Sequence, residues 1–148
     1  MRAAHALDLA SDPLHVRIVG ADAPTLGPGD FRRLFAGRSL SRVRRERIER
    51  STRALALVGE RVVGLAAYER VAGELRVFEL ACEPTLCFSA HDIIRHLLDA
   101  IELACIAGGG RRLVLQPSAV VATGPLEWLG YRLVSDACVG GWLEKRFA

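Results

Sequence analysis

The chain has 148 residues, about half of them hydrophobic (51%) and a quarter charged (25%), which fits one folded domain with a real core and excludes a disordered or fibrous chain. The net charge of +3 is too modest to demand nucleic acid as a partner. No apolar run reaches the ~18 residues of a membrane span, and the opening MRAAHALDLASDPLH lacks the apolar centre of a signal peptide. No membrane association and a cytoplasmic location are the expectation. Cys82, Cys87, Cys105 and Cys138 show no CxxC or zinc-type spacing, and His91 and His96 stand about 140° apart around a helix, so no metal is expected either.

In chain order, residues 1–14 read as a lead-in, and HVRIV (15–19) alternates enough for a first strand. ADAPTLGPG is turn chemistry. Asp30 can cap a short helix, FRRLFAG, in which Phe31, Leu34 and Phe35 share a face. A second helix is predicted over Ser39–Arg50. It crowds Arg42, Arg44, Arg45, Arg47 and Arg50, with Arg53 just beyond in the same basic cluster, around the thin apolar face of Leu40, Val43 and Ile48. Glu46 and Glu49 alternate with these arginines, which favours a solvated face over a surface for phosphate, acidic protein or RNA.

The period then becomes extended. RALALV (53–58), the turn Gly59-Glu60 and RVVGLAAYERV (61–71) read as a hairpin, and Ala72-Gly73-Glu74 turns the chain into LRVFELACE. Strands joined by such short links must be antiparallel neighbours. A long helix opens at Ser89, with Asp92 three residues on as a capping-box partner. Its Ile93, Ile94, Leu97, Leu98, Ile101 and Cys105 form a broad apolar stripe, and Gly108-Gly109-Gly110 ends it. A buried strand feeding the N-terminus of a long helix suits an anionic ligand. RRLVLQP (111–117) is then a strand parallel to the one before the helix. A short helix is predicted from Val120 to Leu129, stopping at Gly130, and YRLVSD and GGWLEKRF close the chain as strands. Residues 15–148 are thus expected to form a single α/β (α+β) domain with a mixed, mostly antiparallel sheet of about seven strands and about four helices.

This order of elements, with "ALALVGERVVGLAAYE", "HDIIRHLLDAIELACIAGGGRRLVLQ" and "PLEWLGYRLV", resembles the GNAT superfamily of acyl-CoA-dependent N-acyltransferases over roughly residues 15 to 147. "FRRLFAGRSLSRVRRERI" is similar to the opening helices of the bacterial protein-lysine acetyltransferase subgroup. The resemblance implies acetyl-CoA as co-substrate, a primary amine as acceptor, and backbone contacts from Leu80, Ala81 and Cys82 to thioester and pantetheine. It puts the CoA pyrophosphate at Ser89, Ala90, His91, Asp92, Ile93 and Ile94. The family's two loop glycines fall on positions 92 and 94, filled here by Asp and Ile, and its acid tyrosine falls on Leu126. Tyr131 takes the aromatic slot that packs. The family's strand glutamate falls on Glu79, and relatives often form homodimers.

Glu79 is also the best general-base candidate on its own chemistry. It interrupts an apolar strand, where burial would lift its pKa, although pairing with an arginine or facing solvent is an equal expectation. Glu83, beside Pro84 at the strand end, ranks second. Trp128 and Trp142 read as core or lid residues. Two functions follow: an active N-acetyltransferase with Glu79 as base, or a GNAT-fold protein that has lost catalysis and serves as ligand sensor or interaction module.

Overall fold

The sheet takes shape where the helical period gives way to an extended one. In a computed structural model describing residues 12–23, 26–36, 40–116, 129–136 and 140–147, Thr52–Val58 (β2), Arg61–Val71 (β3) and Glu74–Cys82 (β4) form an antiparallel meander. The β3–β4 turn, Ala72-Gly73, has positive φ at both residues (48° and 81°), the backbone hand that matches the twist of a hairpin. Leu14–Val19 (β1) pairs with β2 on the outer edge. Arg112–Leu115 (β5) runs parallel to β4. Gly140–Arg146 (β7) lies antiparallel to β5, and Arg132–Asp136 (β6) closes the far edge, giving the order β1-β2-β3-β4-β5-β7-β6. The seven mostly antiparallel strands agree with the sequence.

Three helices are found among the described residues, against about four expected: Pro28–Leu34 (α1), Arg42–Arg50 (α2) and Ala90–Ala107 (α3). The fourth, expected over 120–129, falls outside the described residues except for Leu129. α1 starts earlier than read from the sequence. Gly27 is its N-cap and Pro28 its first residue, so Asp30 sits inside the first turn and accepts the Gly27 N–H at 3.1 Å. α2 begins after Ser41, whose hydroxyl accepts the Arg44 N–H.

The helices divide between the two faces of the sheet. Phe31, Leu34 and Phe35 of α1 and Ile48 of α2 pack on Leu65, Ala67, Phe78 and Ala81. The apolar stripe of α3 packs on the opposite face, against Ala54, Ala56, Val63, Ala66, Val77 and Leu80. Each of its larger side chains contributes roughly 2 kcal/mol by leaving water, which makes this the main core. α3 lies close to the sheet because β3 carries Gly64 there. A Cβ on that residue would stand 2.6 Å from Ile93 Cγ2 and 3.1 Å from both Ala56 Cβ and Leu97 Cδ1.

Arg53, grouped in the sequence with the exposed arginines, is buried. Its guanidinium donates to the carbonyls of Ile48 and Glu49 at the end of α2 and to Gly20, closing that helix from below. Burial lowers its pKa, offset in part by the Glu49 charge. Glu144 on β7 is the complementary case. Burial pushes its carboxyl up, but hydrogen bonds from Arg132 and Arg146 and the charge of Arg112 outweigh this and hold it below the ordinary glutamate range.

Gly64→Ala is expected to lower stability by about 1–3 kcal/mol as α3 is pushed from the sheet, measured by denaturant titration. A carboxyl held low in the folded state adds stability that is complete above its unfolded pKa of ~4.3 and lost as pH falls through the lower folded value. Thermal stability should therefore fall as pH drops below that range, and Glu144→Gln should make the fall shallower.

Candidate functional site

Among the described residues, β4 has a partner along its whole length on one edge and along only half of it on the other. Pairing with β5 runs from Glu74–Arg112 to Val77–Leu115 and ends with the Gln116 N–H donated to Val77 O at 3.0 Å. Beyond Val77 no described strand pairs with β4 on that side, while β3 stays paired as far as Cys82. At the point of parting the β3–β4 register slips. Ala67 faces Glu79 and Tyr68 faces Val77, so Phe78 is the extra residue of a bulge.

The bulge has two consequences. Phe78 and Glu79 both turn toward the α2 side, Phe78 under the Arg47 guanidinium (3.9 Å to the ring centroid) and Glu79 toward Arg44. The alternation of the strand also restarts beyond it. Glu83 donates its N–H to Val63 O on β3, so by alternation the amides of Leu80 and Cys82 point to the edge that β5 has left. Of the backbone trio expected from the sequence, Leu80 and Cys82 face this opening and Ala81 faces β3.

Glu79 is buried, with 5% of its side chain exposed, and both oxygens are held by the Arg44 fork: Nε at 2.8 Å and Nη2 at 2.9 Å. Of the two expectations for this residue, pairing with an arginine describes the structure. Arg44 itself is 40% exposed, so the buried carboxylate is reached through a guanidinium standing at the surface. Glu83 is clamped by Arg33 and by Arg61 at 2.8 Å. Partial burial raises its pKa, and the two arginines more than reverse that. It ties α1 to the end of β4.

The open edge of β4 leads through a tight loop to α3. Thr85 Oγ accepts the N–H groups of Cys87 and Phe88, and the Thr85 N–H closes on Phe88 O. Ser89 caps the helix as expected, accepting the Asp92 N–H at 3.1 Å, while Asp92 accepts both the Ser89 N–H and its hydroxyl at 3.0 Å. The Ser89 amide, then its hydroxyl and then the neighbouring His91 and His96, lower the Asp92 pKa. A carboxylate thus holds the helix N-terminus and neutralises part of the field an anion would use. Ala90 and His91 begin the first turn, Ile93 donates its N–H to Ser89 O, and Ile93 and Ile94 are buried in the core. The expected loop residues therefore split: 89–92 line the helix entrance, and the side chains of 93 and 94 do not.

Tyr131 is buried, and its hydroxyl donates to Glu102 at 2.9 Å. Burial and the Glu102 charge push its pKa far up, and its ring packs in the main core. Trp142 is half-buried on β7. Leu126 and Trp128 lie outside the described residues. On the α2 side of the bulge a cavity of about 630 Å³ is bounded by Glu46, Arg47, Arg50, Glu69 and Phe78. The part of Arg44 was invisible in the sequence, where it was one of five similar helix arginines; only its pairing across 35 residues singles it out.

No protein-family model matches the chain, and no curated protein is similar to it in sequence. Solved structures are. The IAA acetyltransferase of Bacillus cereus is 14% identical with a TM-score of 0.65, over 91% of this chain and 100% of that one. The PaiA N-acetyltransferase of Thermoplasma acidophilum, solved with coenzyme A, is 12% identical with a TM-score of 0.63, over 91% and 99%. A GNAT family acetyltransferase of Elizabethkingia anophelis with acetyl-CoA bound is 14% identical with a TM-score of 0.63, over 93% and 100%. The chain has the fold of the GNAT acetyltransferases; at these identities the fold is what is shared.

Proposed function

We propose that this protein is an acetyl-CoA-dependent N-acetyltransferase acting on a primary amine. The observation that carries the reading is the half-paired edge of β4. Amides presented along an open strand edge suit an extended amide-bearing chain such as pantetheine, and this edge runs toward the N-terminus of α3, where a pyrophosphate would lie. Leu80 and Cys82 through their amides, Ala81 as the link between them, and Ser89 to Ile94 form this binding region, 93 and 94 through the helix they anchor.

In the proposed reaction the amine nitrogen attacks the thioester carbonyl, forming the C–N bond. The developing oxyanion takes the Leu80 N–H. The C–S bond then breaks, the nitrogen gives its proton to Glu79 directly or through water, and the thiolate leaves to be protonated from solvent. Glu79 acts only when Arg44 releases one of its oxygens, since the guanidinium fork otherwise occupies both of them. Arg44 is therefore the residue that sets when the base is free.

The second reading, a GNAT-fold sensor or interaction module without catalysis, draws on two observations: the Arg44 fork on Glu79 and the Asp92 carboxylate in the capping box.

Glu79→Gln should leave acetyl-CoA affinity unchanged and lower kcat by about 100-fold or more in a thiol-release assay over a panel of amines. Unchanged turnover would remove Glu79 from the mechanism, and an inactive parent protein that still binds acetyl-CoA would favour the second reading. Asp92→Asn, which keeps a capping side chain and removes its charge, should tighten acetyl-CoA binding by roughly 3–10-fold in calorimetry.

A further inference from the structure

We infer that the open half of the sheet on the α2 side is a docking surface for an acidic peptide segment, the acceptor amine being carried on that peptide. The inference rests on the acetyltransferase reading for its second half only.

Cross-strand register defines the surface. Arg76, Val114, Glu144 and Arg132 stand in one row across β4, β5, β7 and β6, and Glu74, Arg112 and Arg146 stand in the next. They face away from α3, because side chains alternate along a strand and their chain neighbours Leu75, Leu113 and Leu143 belong to the α3 core. Among the described residues no helix covers these strands.

Charge is layered here. The carboxylates lie beneath, Glu144 with 4% and Glu74 with 14% of the side chain exposed. The arginines lie above them: Arg132 is 74% and Arg146 67% exposed. Arg112 bridges the two carboxylates at 2.9 and 3.3 Å, Arg132 and Arg146 each reach Glu144 through a single bond, and Arg76 reaches Glu74. A guanidinium carries five donors, so Arg132 and Arg146 keep most of theirs for a ligand. Four arginines over two submerged carboxylates present a positive face in a chain of modest net charge. The indole N–H of Trp142, on the same face of β7, is buried without a partner among the described residues, and a ligand carbonyl or carboxylate would satisfy it.

Size and position select the occupant. The row crosses four strands, about 14 Å at ~4.8 Å per step, which is the reach of four or five extended peptide residues and more than that of a single amino acid. It begins at Arg76, two residues from the bulge that carries Glu79. A peptide lying along the row with its carboxylates on the arginines brings an adjacent lysine or N-terminal amine to the bulge. A peptide is favoured over nucleic acid because it supplies a basic aliphatic amine, and because its carboxylates can take single arginines between the submerged glutamates.

The test is fluorescence anisotropy on the full chain with three labelled probes: a peptide holding one lysine among glutamates, its glutamine analogue, and a single-stranded RNA of equal length. The acidic peptide should bind about tenfold tighter than the glutamine analogue, with a preference that fades in high salt. Arg132→Gln with Arg146→Gln should abolish the preference and leave acetyl-CoA binding intact; Glu144 then still holds Arg112, and Arg76→Gln alone should reduce the preference in part. Equal binding of the two peptides, tighter binding of the RNA, or a preference unchanged in the double variant would overturn the inference. Acidic preference with no acetylation of the lysine, in a protein that acetylates another amine of the panel, keeps the docking surface and overturns the peptide as the carrier of the acceptor. No acetylation of any amine refutes the acetyltransferase reading instead. Acetylation of the two peptides at equal rates and equal KM keeps that reading and refutes the docking surface.

Discussion

A strand satisfied on one edge and abandoned halfway along the other is the constraint on which this structure turns. β4 must pair with β3 throughout, because both sit at the centre of the sheet and are apolar on both faces. It can pair with β5 only as far as Val77, where the bulge at Phe78 bends it away. Backbone amides that leave a ladder need another acceptor, and a central strand has no surplus of them. Among the described residues β5 leaves this edge at Val77, and the edge is the feature on which the proposed acetyl-CoA site rests. α3 completes the geometry. Gly64 lets it sit low on the sheet, and its entry loop starts where the open edge ends.

Arginine–carboxylate pairs organise the polar side of the molecule. Glu79, Glu83 and Glu144 are each withdrawn from solvent and each held by at least one arginine that remains closer to the surface. Such pairs add little net stability, since desolvation offsets most of the attraction, but they fix orientation because the fork and the carboxylate match in geometry. Here they clamp α1 and α2 to β4 and cross-link β5, β6 and β7. The same arrangement turns a chain of near-balanced charge into one with a positive face, because the negative member of each pair is the buried one. Asp92 differs: held by Ser89 and not by an arginine, it places negative charge at the entrance of α3.

Much of this was legible in the chain itself. The alternation of β2 to β4, the Ala72-Gly73 turn, the stripe of α3 and the Ser89–Asp92 box are local patterns, each set by residues within a few positions of one another, and these determined the antiparallel meander and the main core; the place of β7 between β5 and β6 came only from the fold. Helix starts were less legible: Asp30 looked like a cap, yet Gly27 and Pro28 open α1 one turn earlier, since a proline supplies the first helical φ without needing an N–H partner. Arg53 looked like its exposed neighbours, and only the fold shows it closing the end of α2. Glu79 stood out as a charge in an apolar strand, which is why it was a candidate. Whether it would be a lone carboxyl or a paired one could not be read from the chain. That was decided by Arg44, brought from a separate helix to 2.8 Å by tertiary packing, and by a one-residue bulge that turns two successive side chains to the same face. Ladder register and ion pairing join residues far apart in sequence, and such contacts have no local pattern to announce them.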